Sequence, residues 1–154
     1  MNTFLTIISG VAVFVVGQFV LELFIKPWNK YRSIKSKIVY ILAYNAHQLY
    51  YALDYNCKES DSDLIRYRRA SHELRNVAAE LIGFIEEKHP LFFIPRKEQI
   101  YKASSQLIAL SNGVSLLTHR GSVSTMDFIA CNRKSERTLR KLLRLYPHMT
   151  FEAP

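Results

Sequence analysis

Residues 3–25 read TFLTIISGVAVFVVGQFVLELFI, an apolar run in which Glu22, near its end, is the only charged side chain. At 1.5 Å per residue a helix of this length reaches about 34 Å, enough for a hydrocarbon core of about 30 Å, so the run reads as a transmembrane helix. A cleaved signal peptide needs a basic leader and a small-residue cleavage site, and neither Met1-Asn2-Thr3 nor the exit sequence FIKPW offers them. A buried core helix is the weaker third option, because apolar side chains all round are rare for so long a helix in so small a soluble domain. Pro27 lacks the N–H that bonds back to Leu23, so a kink or a fresh helix start is expected there.

Beyond Pro27 the apolar positions return at helical spacing. Ile34, Ile38, Leu42, Leu49 and Leu53 mark a first helix, closed by a polar run over 54–63. Leu74 and Leu81, Val77 and Phe84, and Ala78 and Ile85 are pairs seven apart that stripe a second helix, with Asp61 or Ser62 as its cap and Pro90 as its stop. HPLFFIP, residues 89–95, is an apolar connector between two prolines, expected to pack its aromatics on the end of the bundle. Ile100, Leu107 and Val114 form one heptad series of a third helix, and Ala103, Leu110 and Leu117 the other. Three heptads suit a core-facing bundle helix better than a coiled coil, and Gly113 weakens the last turn. A loop, HRGSVST, precedes a last helix that runs from Asp127, its N-cap, to Tyr146, where Pro147 stops it; Phe128, Leu139, Leu142, Leu143 and Tyr146 mark its apolar face. The expected fold is all-α: one N-terminal transmembrane helix (1–27), a cytoplasmic bundle of about four helices (28–150) and a short tail (151–154).

Charge adds an orientation. The 154 residues carry 21 basic and 13 acidic side chains, a net +8, and 49% hydrophobic with 22% charged content argues against wholesale disorder. Lys26, Lys30, Arg32, Lys35 and Lys37 follow the span with no acid among them, and no basic residue precedes it. The positive-inside rule then places the C-terminal body in the cytoplasm, and the same cluster attracts anionic lipid headgroups. Trp28 and Tyr31 stand where an interfacial aromatic belt is expected.

Inside the span Gly10 and Gly17 share a face that two helices could use to approach closely, although the spacing is not G-x-x-x-G. Gln18 and Glu22, one turn apart, could line a pore or join helices through hydrogen bonds; the simpler reading has Glu22 snorkel to the interface and pair with Lys26. The last helix carries a second basic cluster. Arg133, Lys134, Arg137, Arg140, Lys141 and Arg144 stand against Glu136 alone, a net of +5, and such a face suits phosphate on a nucleotide or nucleic acid, with a solvated or membrane-lying face as the plainer reading. Arg66, Arg68 and Arg69 could extend it, but helical spacing scatters them over several faces.

Catalytic chemistry finds little support. Cys57 and Cys131 have no disulfide or metal-ligand spacing, and His47, His72, His89, His119 and His148 form no i,i+4 pair. No nucleophile elbow, phosphate loop or dinucleotide fingerprint is present, and Asp54, Glu59, Asp61 and Asp63 lack the glycine and terminal glutamate of a calcium loop. No cofactor or metal is expected.

Gly17-Gln18, the proline at Pro27, the segment Ala70-Ser71-His72-Glu73-Leu74-Arg75 and the segment Ala103-Ser104-Ser105-Gln106-Leu107-Ile108-Ala109-Leu110-Ser111-Asn112 are together similar to a group of small, uncharacterised single-span bacterial inner-membrane proteins with a cytoplasmic helical domain. The resemblance reaches to about Asn112 and implies a bacterial inner-membrane setting without an activity. Two functional expectations follow. One is a non-enzymatic anchored module that binds a protein partner or self-assembles, as a scaffold or regulatory subunit. The other is a membrane effector whose basic last helix binds an anionic ligand, a nucleotide or nucleic acid, and which perturbs the membrane as an oligomer.

Overall fold

The computed structural model describes residues 2–51, 62–87, 95–116 and 125–145. All the regular structure among them is helical: α1 (Asn2–Val20), a π-helical turn (Leu21–Ile25), α2 (Lys26–Tyr44), a short α3 (Ala46–Tyr50), α4 (Ser62–Glu86), α5 (Lys97–Leu116) and α6 (Thr125–Leu142).

The first three elements form one continuous helical column, and Pro27 explains the join. Its missing N–H leaves a gap in the α-ladder, and Lys26 donates its N–H to the Leu21 carbonyl, five residues back, so that one extra residue is accommodated in the turn. Pro27 itself sits in the first turn of α2, where a missing N–H is tolerated, and is buried. Ile7–Tyr44 is a helix long and apolar enough near its start to cross a membrane, and none of its most apolar stretch is buried in the structure. Phe4, Val13 and Phe14 are each about two-thirds exposed or more.

Burial begins where the column enters the bundle. Tyr31, Ile34, Ile38, Ile41 and Leu42 fall at three-to-four-residue spacing on one face of α2 and pack into the core. The first helix does not run unbroken to Leu49: Asn45 leaves helical geometry (φ −97°, ψ 19°), its side chain donates to Glu73 Oε2 at 3.0 Å, and α3 starts anew. Leu49 reaches the core from α3. All six stripe residues of α4 are buried, as are Ile100, Ala103, Leu107, Leu110 and Val114 of α5 and Leu139 and Leu143 of α6. Leu53, the 54–61 run with Cys57 and the proposed Asp61 cap, the connector residues 89–94, Leu117, the loop at 119–124, Tyr146 and Pro147 lie outside the described residues.

Side-chain ties give the topology. Lys30 pairs with Glu87 and Lys37 with Glu80, while Asn45 meets Glu73, so α4 runs antiparallel to α2 with partners stepping by seven or eight. Ser71 meets Ser111, and Ser104 Oγ donates to the Ala78 carbonyl at 3.3 Å, so α5 is antiparallel to α4. Asn132 on α6 donates to the Leu49 carbonyl at 3.0 Å beyond the far end of α2, whereas Arg144 lies within electrostatic reach of Tyr31 and Lys35 in its first half. The bundle is therefore up-down-up-down.

Two details of α6 depart from the sequence reading. It starts at Thr125, which puts Asp127 inside the first turn instead of at the N-cap; there its carboxylate still complements the helix dipole. It ends at Leu142, before Tyr146. Arg144 adopts φ 50°, its N–H bonds to Lys141 O (3.3 Å) and the Leu145 N–H bonds to Arg140 O (2.9 Å), a Schellman termination with arginine where glycine is preferred.

Candidate functional site

The six basic residues assigned to one face of α6 go to four different places. Arg133, Lys134 and Arg137 line an open groove of about 750 Å3, together with Tyr50, Tyr51, Ile129, Ala130 and Thr138. α3 brings the tyrosines there because Asn45 breaks the preceding helix and Asn132 ties α3 to α6 through the Leu49 carbonyl. The Arg133 guanidinium sits over the Tyr50 ring at 5.8 Å, a cation–π contact. Tyr51 stacks on His47, four residues earlier, with ring centroids 4.7 Å apart, and is itself 60% exposed. Its carbonyl accepts from the Tyr67 hydroxyl at 2.7 Å, which fixes the backbone to α4. Among the described residues no acidic side chain lines the groove.

Arg140 turns inward. Its Nε donates to Glu136 Oε1 at 2.7 Å, in a pair of which both side chains are almost wholly buried, so it belongs to the packing of α6 and not to an accessible anion site. The reason is angular: Glu136 and Arg140 are one turn apart at the edge between the apolar and basic faces. Lys141 is exposed but does not line the groove. Arg144 lies past the helix end, where the left-handed turn takes it away from the basic stripe towards Lys35 and Tyr31.

The cluster after the apolar column is likewise divided. Glu22 and Lys26 form an ion pair across one turn. Lys30 and Lys37 face α4 and are paired with Glu87 and Glu80, so they link helices, while Arg32 stays exposed. Lys35 is half-buried beside the Tyr31 ring, its Nζ 5.7 Å from the ring centroid; burial first, and Arg144 second, push its pKa down.

Tyr31 corrects the aromatic-belt assignment. Trp28 is 43% exposed, but Tyr31 is only 3% exposed and stacks on Phe84 of α4 at 5.8 Å, because it lies in phase with Ile34 and Ile38. Burial pushes its phenol up to about 12, against a smaller opposing effect of Arg144. Gly10, Gly17 and Gln18 are exposed on α1, with open space where a Cβ would stand on either glycine.

The two segments that carried the family resemblance meet each other. The Ser71 and Ser111 hydroxyls are 2.8 Å apart in the interior, Arg75 Nε donates to Ser111 Oγ at 2.9 Å, and Arg75 Nη2 donates to Asn112 Oδ1 at 2.9 Å. Small residues there let α4 and α5 approach, and the hydroxyls satisfy one another, so these residues are packing devices. Beside them Arg68, His72, Arg75 and Ser115 outline a smaller depression of about 120 Å3.

Sequence reasoning missed Tyr50, Tyr51 and His47 as companions of the basic helix; the i,i+4 spacing of His47 and Tyr51 was visible, but nothing in it points across 80 residues to Arg133. Among the described residues no group of three metal-ligating side chains comes together. No family model, curated protein or solved structure matches the chain.

Proposed function

We propose that this is a single-span membrane protein of the bacterial inner membrane, akin to the uncharacterised small proteins it resembles, whose cytoplasmic helical bundle acts as a non-enzymatic scaffold or regulatory interaction module. The observation that carries the reading is the continuous column. An apolar α1, exposed at every described side chain, joins through the π-turn to α2, which supplies one wall of a core that takes no described residue from α1. Exposed apolar surface on that scale needs an apolar partner, and its length suits a bilayer. The basic residues that follow, Arg32 and Lys35 among them, favour N-terminus outside and body inside. Tyr40 and Tyr44, stacked at 5.7 Å and each more than 60% exposed on α2, offer a surface for a protein partner or a second copy.

The groove favours a second reading, in which an anion bound at α6 regulates the bundle and, through the continuous column, the arrangement of spans in an oligomer. The experiment for the anchored-module reading is alkaline extraction of membranes combined with a membrane-impermeant maleimide. Full-length protein should stay with the membrane, and the exposed Cys131 should react only after the cells are opened. Release by alkali refutes the span, and labelling of intact cells reverses the orientation.

A further inference from the structure

We infer that the α3–α6 groove is a binding site for a nucleoside polyphosphate, with the phosphates held by Arg133, Lys134 and Arg137 and the base stacked on Tyr51. The inference names a ligand class for the second reading above and rests on it.

Size and chemistry point the same way. About 750 Å3 lies within the range of small-molecule sites, roughly 300–1,000 Å3. Among the described residues three bases and no acid line it, two of them arginines whose planar forks suit phosphate oxygens. Inorganic phosphate alone leaves the aromatic residues without a role. Tyr51 stacks on His47 and is 60% exposed, so an accessible aromatic side chain lies beside the three bases; base–aromatic stacking is a general source of nucleotide affinity. Arg133 is already poised over Tyr50, which holds the guanidinium at the rim before a ligand arrives.

Position separates this ligand from a lipid headgroup of the same membrane. α2 runs 19 residues, about 28 Å, from the end of the apolar column before the chain reaches α3. Arg144, by contrast, lies within electrostatic reach of Tyr31 and Lys35 in the first half of α2, nearer the apolar end of the column. The groove is thus presented to solutes of the compartment that holds the body.

The test uses full-length protein in nanodiscs of neutral lipid, titrated calorimetrically with ADP, with inorganic pyrophosphate and with a ten-residue oligothymidylate. ADP is expected to bind saturably and at least tenfold more tightly than pyrophosphate. Tyr51→Leu should weaken ADP about tenfold and leave pyrophosphate unchanged, and Tyr51→Phe, which keeps the ring, should restore ADP binding. The double reversal Arg133→Glu with Arg137→Glu should abolish both, while the far-ultraviolet helical signal and nanodisc incorporation stay as in the parent. Equal affinity for ADP and pyrophosphate, or indifference of ADP binding to Tyr51→Leu, overturns the stacking and with it the proposal. So does tighter binding of the oligonucleotide, which identifies a nucleic-acid surface, or retention of binding in the double reversal. Absence of ADP binding by protein that is incorporated and helical refutes the ligand while leaving the membrane anchor intact; failure to incorporate refutes the anchor separately.

Discussion

Single side chains decide more here than their types suggest. Gly113 is needed because α5 and α6 approach so closely that an added Cβ would stand 2.9 Å from Asn132 Cγ and overlap its carboxamide oxygen. The Asn132 amide is already committed to the Leu49 carbonyl, so it cannot retreat without losing a buried hydrogen bond. Gly113→Ala is therefore expected to destabilise the bundle by about 1–3 kcal/mol in denaturant unfolding, despite alanine's better helix propensity. Arg144 works in the opposite sense. At φ 50° a side chain is disfavoured, so Arg144→Gly should stabilise the protein by up to about 1 kcal/mol, and an unchanged or lowered melting temperature would contradict the Schellman assignment. Tyr31 supplies a pH signature. Its phenol is held neutral to about 12 when folded, against 10.0 unfolded, so the stability linked to it is present below pH 10 and lost as pH rises from there towards 12. Its hydroxyl is buried without a hydrogen-bond partner among the described residues, so Tyr31→Phe should leave neutral-pH stability nearly unchanged while flattening the alkaline decline.

At the scale of elements, the helix pairs are set by core stripes and only adjusted by charge. The Lys37–Glu80 pair joins α2 to α4, but both side chains are at least two-fifths exposed, so solvent screens them. Exchanging the two charges should restore most of the small loss, below about 1 kcal/mol, caused by reversing either one alone in a double-mutant cycle. The interior tie between α4 and α5 is of another kind. Ser111 Oγ accepts from Arg75, lies 2.8 Å from Ser71 Oγ and donates to the Ser71 carbonyl at 3.0 Å in the buried interface, so Ser111→Val removes these bonds, leaves the Ser71 carbonyl without that donor and adds bulk at a fully buried position. A loss of about 1–3 kcal/mol is expected from chemical unfolding, larger than for any of the exposed ion pairs. Helical phase made most of these stripes legible beforehand, since Ile34, Ile38, Leu74, Leu81, Leu107 and Leu110 all lie where a 3.6-residue period puts them. Phase alone did not show the π-turn, which depends on how the chain accommodates Pro27, nor the break at Asn45, which is held by a hydrogen bond to Glu73, 28 residues away.

For the whole molecule, a long exposed apolar helix and a self-contained bundle share one axis. Every residue of the core cluster lies at or beyond Tyr31, so a chain starting at Lys26 keeps the complete core together with the buried Pro27. Such a chain should remain helical and cooperatively folded in water without detergent, while the full-length protein partitions into membranes; aggregation or loss of cooperative melting in the shorter chain would show that α1 takes part in the fold.

The sequence by itself determined the helical class, the apolar column and the faces turned to the core, because each depends on spacing within one helix and on transfer from water. It also located the basic residues, but not their partners. Only the tertiary structure decided that Tyr31 is core, that Arg140 is spent on Glu136, that Lys30 and Lys37 link α2 to α4, and that Arg133, Lys134 and Arg137 share a groove with Tyr50 and Tyr51. The physical reason is common to all four. A charge or a ring acquires its role from what lies within a few ångströms, and across a bundle those neighbours come from other helices at sequence distances that no local period encodes.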